Sequence, residues 1–171
     1  MAFARLMMWV TRFLALSLPI MVLGIWLLWD RIAPTAAQMS GLALDPASIG
    51  WSARIGAAGL MMLGAGLQAF GLWCLSHTFQ EAASERALSE TAIAGFQRFS
   101  WIVLVMVPVG IAIRAGVIAI VSAADSVPGG FLPITFGTGE LQALFIGALL
   151  VFVAQVFRQG QAAQQENQAF I

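Results

Sequence analysis

The chain has 171 residues, of which 60% are hydrophobic and only 9% are charged. Soluble domains are about 45–50% apolar and about 25% charged, so the composition excludes an ordinary soluble domain and predicts an integral protein of a lipid bilayer. The formal net charge is zero, which provides no basic field for direct nucleic-acid binding. One cysteine and one histidine exclude an internal disulfide, a cysteine metal cluster and a multi-histidine metal or haem site, so we expect no metal and no cofactor.

Four apolar stretches fill about half of the chain, and each is long enough to cross the roughly 30 Å hydrocarbon core as a helix. They cover approximately residues 13–29, 55–76, 101–121 and 141–157. They predict an all-α fold: a four-helix transmembrane bundle that forms a single integral membrane domain over residues 1–171. The first stretch resembles a signal peptide, but it is too long and lacks a small-residue cleavage site, so we expect an uncleaved helix.

Polar residues beside these stretches predict that two helices extend beyond them. Ser89 followed by Glu90 is typical of a helix start, which places the beginning of the third helix before its apolar stretch. The Gln- and Ala-rich segment 159–171 is expected to continue the fourth helix.

Small residues spaced along the second, third and fourth helices predict close helix packing, because small residues let transmembrane backbones approach one another. They are Ala57, Gly64, Gly71, Ala112, Gly116, Ala143 and Gly147.

Arginine is the only basic residue apart from histidine, and its distribution predicts the orientation. With four crossings, one side would carry Arg5, Arg12, Arg86, Arg98 and Arg158. The other side would carry only Arg31 and Arg54. The positive-inside rule then places both termini, and the loop between the second and third helices, in the cytoplasm.

Arg114 lies inside the third apolar stretch, where an arginine costs about 2.5–3.5 kcal/mol on insertion scales and therefore usually faces a partner or water. Glu140, at the start of the fourth helix, is its first expected partner. The pair has two interpretations: an ion pair that fixes the third helix against the fourth, or a site for an anion, lipid headgroup or small ligand near the outer leaflet.

Cys74 and His77 are three residues apart, which puts them on one helix face, and a cysteine–histidine pair can form a nucleophile. No acid at an evident position would orient the histidine. We therefore expect no catalytic residues and no enzymatic activity.

Apolar residues at the start of the third helix and at the end of the sequence predict a contact surface. Three arrangements are open: the two groups pack together inside the protein, they bind a cytoplasmic partner, or the end of the sequence is frayed and solvated. The predicted surface consists of the apolar residues Ile93, Phe96, Phe170 and Ile171 and the polar residues Glu166 and Asn167.

Several segments resemble the motifs of one protein family. The run Leu72–Leu75, followed by Phe79, resembles an L-W-x-L-x-x-x-F signature. The segment 85–89 aligns with a loop of the form G-E-hydrophobic-F-S/T, and 92–100 aligns with N-V-x-x-L-R-R-F-G. The ending, 166–171, resembles E-N-x-x-hydrophobic-hydrophobic, after a match at 134–136.

These motifs are similar to those of the bacterial membrane proteins called domain of unknown function twenty-nine seventy-five (DUF2975). The loop departs from the pattern, with Glu85 in place of glycine, Arg86 in place of the acid and Leu88 in place of phenylalanine. The resemblance implies four transmembrane helices in a bacterial inner membrane and no known activity. It also implies an association with small helix-turn-helix regulators, which such proteins often neighbour.

Two functions remain open from the sequence. The first is a non-enzymatic membrane partner of a cytoplasmic protein, with a helix-turn-helix regulator as the specific case. The second is a sensor or transporter-like protein with a small-molecule or lipid site near Arg114. The sequence also leaves a homo-oligomer open.

Overall fold

The computed structural model describes residues 2–32, 49–86, 88–125 and 137–169, with side chains described to residue 123 in the third range and to residue 163 in the fourth. Four long helices occupy most of these ranges: α1 (Ala2–Leu27), α2 (Trp51–Ala83), α3 (Glu90–Asp125) and α4 (Thr138–Ala169). The described part of the chain contains no β-strand, so the all-α prediction is confirmed there.

Each of the four helices contains a segment long and apolar enough to cross a membrane, with mean hydropathy between 1.6 and 2.4. Large apolar side chains lie exposed on these segments, among them Phe13, Leu63, Phe145 and Phe152. In water such surfaces would drive aggregation, whereas in a bilayer they contact lipid tails. The protein is therefore a multi-pass membrane protein.

All four helices begin earlier than the apolar stretches, and three of them end later. The third helix begins at Glu90 rather than near residue 101, and the fourth continues to Ala169 rather than 157, as the polar flanks predicted. Hydropathy marks where a helix meets lipid, but backbone hydrogen bonding continues into polar sequence without interruption. The first helix was predicted to run to residue 29 but ends at Leu27.

Local hydrogen bonds explain where α3 and α4 begin. The Ser89 hydroxyl accepts a 3.2 Å hydrogen bond from the backbone N–H of Ala92, which is the N-cap geometry predicted for this serine. At α4, the backbone N–H of Gly137 donates to Oε2 of Glu140 at 3.0 Å. A carboxylate in the first turn that reaches back to the capping residue satisfies one of the unpaired N–H groups of a helix start.

The chain divides into two compact units. The first contains Met1–Ser17, Leu67–Val107 and Phe136–Ile171, and the second contains Leu18–Gly66 and Pro108–Thr135.

In the first unit, α3 packs closely against both α2 and α4 through glycines. A Cβ on Gly71 of α2 would lie 3.0 Å from the Ile102 side chain, and one on Gly147 of α4 would lie 2.9 Å from Cα of Leu104. These distances leave no room for a side chain, so the predicted close packing at Gly71 and Gly147 is confirmed.

In the second unit, α2 and α3 again approach through glycines. A Cβ on Gly64 would lie 2.7 Å from the Ile113 side chain, and one on Gly116 would lie 2.9 Å from that of Leu60. Packing is thus confirmed at both, whereas Ala112 was wrongly included in the stripe, because it is exposed.

The second unit also holds a small core and an ion pair. Ile49, Ala53 and Val121 are buried together, with Trp29 packed against them. Arg54, in the first turn of α2, forms a 2.9 Å ion pair with Asp30, which lies three residues beyond the end of α1.

Gly95 provides a test of the α2–α3 packing. A methyl group at this position would lie 2.7 Å from the backbone oxygen of Cys74 and 2.9 Å from Oγ1 of Thr78. A backbone atom cannot move aside as the end of a side chain can, so we expect Gly95→Ala to destabilise the protein by about 1–3 kcal/mol. Thermal unfolding in detergent measures the change.

The matched control is Gly59→Ala on α2, where a Cβ meets nothing within 4 Å. Alanine forms helix better than glycine by about 1 kcal/mol, so this variant should be neutral or more stable. Equal melting temperatures for the two variants would contradict the packing.

Candidate functional site

The first unit ends in a polar group of helices, which we call the polar head. It consists of residues 77–83 of α2, the described loop residues 84–86, 88 and 89, residues 90–100 of α3 and residues 158–169 of α4. Trp73 lies four residues before the head on α2, and Trp101 directly follows it on α3. Both tryptophans are exposed. Tryptophan favours the membrane–water interface, so the head corresponds to about 10–18 Å of helix beyond that interface at 1.5 Å per residue.

The loop of the head is organised by the Glu81 carboxylate, which lies in the last turn of α2. It forms a 3.2 Å ion pair with Nε of Arg86 and accepts a 3.2 Å hydrogen bond from the Ser89 hydroxyl. Ser89 in turn caps α3. One side chain therefore connects the end of α2, the loop and the start of α3.

The same loop closes α2 with two backbone hydrogen bonds. The N–H of Arg86 donates to the Glu81 carbonyl at 3.0 Å, and the N–H of Glu85 donates to the Ala82 carbonyl at 3.3 Å. This is the Schellman pattern, in which the residue after the cap adopts a left-handed conformation. Glu85 does so, with φ of 61°.

The two arms of the hairpin are also joined directly. The Thr78 hydroxyl of α2 donates a 2.8 Å hydrogen bond to the Ala92 carbonyl of α3. Ser76 and Ser100 are fully buried, and each donates to a carbonyl of its own helix. Burial of these hydroxyls is inexpensive because they are hydrogen-bonded.

An open cleft of about 330 Å³ lies between α2 and α3 in the head. Cys74 and His77 line its α2 side, and Glu90, Thr91 and Arg98 line its α3 side. The cleft thus brings an acid close to the cysteine and histidine that the sequence placed on one face. Cys74 is buried and forms no hydrogen bond with His77 among the described contacts, and the His77 ring instead meets Trp73 edge-on at 6.3 Å. The expectation that these two residues are not catalytic stays a prediction.

A second cleft, of about 440 Å³, lies between α3 and α4. Ile93 and Gln97 of α3 face Arg158 and Gln161 of α4 across it, and Glu90 lies at its end. The cleft combines an apolar floor with charged and amide side chains at its sides. Such a surface can bind a polypeptide through both apolar contact and hydrogen bonds.

The structure describes only part of the predicted contact surface. Ile93 is only 4% exposed, and Phe96 packs against Phe157 of α4 with ring centroids 5.9 Å apart. Glu166 and Asn167 belong to the backbone of α4, but their side chains, and all of Phe170 and Ile171, lie outside the described residues. Packing of the sequence end onto this surface stays a prediction.

An arginine site beside the head was missed by the sequence analysis. Nη2 of Arg12 on α1 donates a 2.8 Å hydrogen bond to Oε1 of Gln80 on α2. Its guanidinium lies 6.0 Å from the Trp9 ring centroid and 5.8 Å from that of Trp73, which is within cation–π range. The i, i+3 spacing of Trp9 and Arg12 was the available signal, but nothing in the sequence indicated which helix they would meet.

Arg114 is exposed on α3 and belongs to the second unit, whereas Glu140 belongs to the first. Glu140 caps α4 locally. Their predicted ion pair stays a prediction. Among the described residues, no group of three histidines, cysteines or carboxylates is close enough to hold a metal ion.

Comparison with known proteins gives one match. The family model described as Protein of unknown function (DUF2975) matches residues 34–171, which is most of the chain. The chain belongs to the DUF2975 family. No curated protein and no solved structure gives a significant match.

Glu85 is the residue of the loop in the left-handed conformation. It stands where the loop motif that this sequence resembles has glycine. Glycine adopts this conformation without steric cost, whereas other residues pay about 1–2 kcal/mol. The substitution therefore affects the backbone of the turn and leaves its hydrogen bonds in place.

We expect Glu85→Gly to stabilise the protein by about 0.5–1 kcal/mol, since relief of the positive φ outweighs the entropy that glycine adds to the unfolded chain. The control is Ser84→Gly, one residue earlier, where φ is not positive. There glycine brings the entropic cost together with loss of the exposed 3.2 Å hydrogen bond from the Ser84 hydroxyl to the Gln80 carbonyl. Chemical denaturation in mixed micelles measures both. A Glu85→Gly variant no more stable than Ser84→Gly would show that the turn carries no strain.

Proposed function

We propose that this DUF2975 protein is a multi-pass protein of the bacterial inner membrane and a non-enzymatic membrane partner of a cytoplasmic protein. In this proposal both ends of the sequence and the polar head face the cytoplasm. The observation that carries it is the head itself. The α2 and α3 helices continue beyond the interfacial tryptophans, and α4 packs beside α3 across an open cleft. A protein that served only lipid would not need such a projection.

The arginine distribution supports this orientation. Arg86, Arg98 and Arg158 are exposed in the head, and Arg5 and Arg12 lie near the start of α1. The opposite ends of the helices carry Arg31 and Arg54, of which Arg54 is paired with Asp30. An excess of arginine near the ends of the spans marks the cytoplasmic side.

Reporter fusions test the topology. Truncated chains fused after residues near 40, 85 and 130, and at the end of the sequence, should report periplasm, cytoplasm, periplasm and cytoplasm. Paired reporters, one active only in each compartment, measure this. A periplasmic signal near residue 85 would overturn both the orientation and the cytoplasmic partner.

The α3–α4 cleft is the part of the head that best suits a polypeptide partner. Its sides carry Arg158 and Gln161 on α4 and Gln97 on α3, around the largely buried Ile93. Charged and amide groups around an apolar centre are the usual arrangement of protein interfaces. The resemblance to proteins that neighbour helix-turn-helix regulators makes such a regulator the specific partner that we propose.

The non-enzymatic part of the proposal rests on the chemistry of the head. In its described residues, the cysteine and histidine form no hydrogen bond with each other, and the Glu81 carboxylate is committed to Arg86 and Ser89. Catalysis by these groups would need a nucleophile within hydrogen-bond reach of a base.

Reversal of one charge tests the partner surface. The partner is taken as the cytoplasmic protein that co-purifies with the chain in mild detergent. We expect Arg158→Glu to reduce its binding at least about tenfold, since loss of a charged interfacial contact commonly costs more than 1.4 kcal/mol. Binding is measured with the two purified proteins in detergent, so that stoichiometry and affinity are both obtained. Removal of Glu166–Ile171 should also weaken binding if the sequence end belongs to the surface.

The matched control is Arg31→Glu, the same change at an exposed arginine outside the polar head. It should bind the partner as the unaltered chain does. Equal loss in both variants, with unchanged melting temperature, would contradict a binding surface in the head.

A second function is favoured by one observation. Arg114 is exposed within α3, in a helix segment of mean hydropathy 2.4 of which none is buried inside the protein. An arginine at such a position attracts an anionic group. A sensor or transporter-like protein with a lipid or small-molecule site near Arg114 is therefore the alternative.

A further inference from the structure

Two exposed tryptophans indicate the depth of the α2–α3 cleft in the membrane. His77 is one helical turn beyond Trp73 on α2, and Arg98 is one turn beyond Trp101 on α3. Both tryptophans are exposed, at 44% and 47%. Because tryptophan marks the headgroup level of a bilayer, the basic side of the cleft lies where lipid phosphates lie.

The charges in the cleft are arranged along the membrane normal. Glu90, Ala94 and Arg98 follow one another at intervals of four on α3, so they share a face, and all three line the cleft. At 1.5 Å per residue, Glu90 is about 12 Å farther along the helix axis than Arg98, on the side away from Trp101. The cleft is therefore basic near the membrane and acidic farther out.

Among the described residues, Glu90 and Arg98 form no ion pair and no hydrogen bond through their side chains. Both side chains are exposed, so a ligand can reach them. Thr91 and His77 add a hydroxyl and a ring nitrogen between the two charges.

We propose that this cleft binds the zwitterionic headgroup of an ethanolamine phospholipid from the adjacent leaflet. The phosphate of such a lipid lies at the membrane surface, where Arg98 donates to it with help from His77 and Thr91. The ammonium extends farther into water, where the Glu90 carboxylate accepts its hydrogen bonds. A guanidinium forms strong, geometrically defined bonds with phosphate.

The charge balance selects this headgroup over an anionic one. Arg98 and Glu90 cancel, as do the phosphate and ammonium of the lipid, so each charge meets its opposite. The glycerol headgroup of phosphatidylglycerol would satisfy Arg98 but would leave Glu90 without a cation and close to a negative lipid. Glu90 lines both this cleft and the α3–α4 cleft proposed above for the protein partner. The lipid proposal does not rest on that partner, because lipid binding is tested on the purified chain alone.

Native mass spectrometry of the full chain tests the proposal. The detergent-purified protein is mixed with equimolar dioleoyl-phosphatidylethanolamine and dioleoyl-phosphatidylglycerol, and the bound fraction of each lipid is measured. We expect the ethanolamine lipid to be preferred. Arg98→Gln should weaken binding of both lipids. Glu90→Gln should lower the ethanolamine preference about tenfold, which is about 1.4 kcal/mol, because it removes the charged acceptor of the ammonium.

Two further variants distinguish loss of the headgroup site from misfolding and from a general effect of charge. Glu90→Lys should invert the preference in favour of phosphatidylglycerol, a gain that a misfolded protein cannot produce. Arg5→Gln removes the same charge as Arg98→Gln at an exposed position outside the cleft and should leave both lipids bound as before.

Three outcomes would overturn the proposal. They are an unchanged lipid preference in both Glu90 variants, equal effects of Arg98→Gln and Arg5→Gln, and full competition by water-soluble glycerophosphoethanolamine at the lipid concentration. The last would assign the cleft to a soluble metabolite rather than to a membrane lipid.

Discussion

The thickness of the hydrocarbon core, about 30 Å, is the constraint on which the rest of this structure depends. About 20 helical residues cross it, whereas α2, α3 and α4 have 33, 36 and 32 residues. Inside the core, every backbone N–H and carbonyl must be paired within the helix, so the crossing parts cannot shorten or unwind. The surplus length has to project into water. Most of it falls on the side of the α2–α3 loop, and the polar head results.

A projection of this kind keeps its shape only if polar bonds replace the missing lipid contacts. Glu81 joins the loop to both helices, and the Thr78 hydroxyl donates a hydrogen bond to the Ala92 carbonyl. Because Gly95 has no side chain, α3 lies close to the Cys74 backbone oxygen and the Thr78 hydroxyl of α2. Buried Ser100 is satisfied within its own helix. The loop of the head is thus held by several polar contacts, and the two clefts lie at the sides of the head.

The sequence predicted the fold because lipid exposure makes the apolar stretches continuous and easy to recognise. It also predicted the starts of the polar extensions wherever a local signal existed, as at Ser89. Apolar stretches could not reveal where the helices begin and end, because helical hydrogen bonding is indifferent to hydropathy. The small-residue pattern located Gly64 and Gly147 at close approaches, but it could not distinguish them from exposed Ala112.

The candidate sites were predicted less well, since they are formed by residues distant in sequence. Cys74 and His77 were recognised as neighbours on one face, but Glu90 and Arg98 reach them only through the hairpin turn. Arg12 meets Gln80 across 68 positions, and no local pattern encodes that meeting. Ile93 was predicted to belong to a contact surface. Its burial depends on helix packing that composition does not show.

The short sequence separation of the contacts in the hairpin determines the order in which this protein can assemble. Thr78 and Ala92 are 14 positions apart, and Glu81 and Ser89 only 8, so both bonds become possible as soon as α3 begins to form. Chain synthesis at about 5–20 residues per second needs roughly 2–8 s to pass from Trp101 to Glu140, whereas local helical contacts form in microseconds. The α2–α3 arm and its cleft can therefore be complete while α4 is still in the ribosome. The α3–α4 cleft, with the cover that α4 provides for Phe96, comes into existence only when synthesis has passed Phe157.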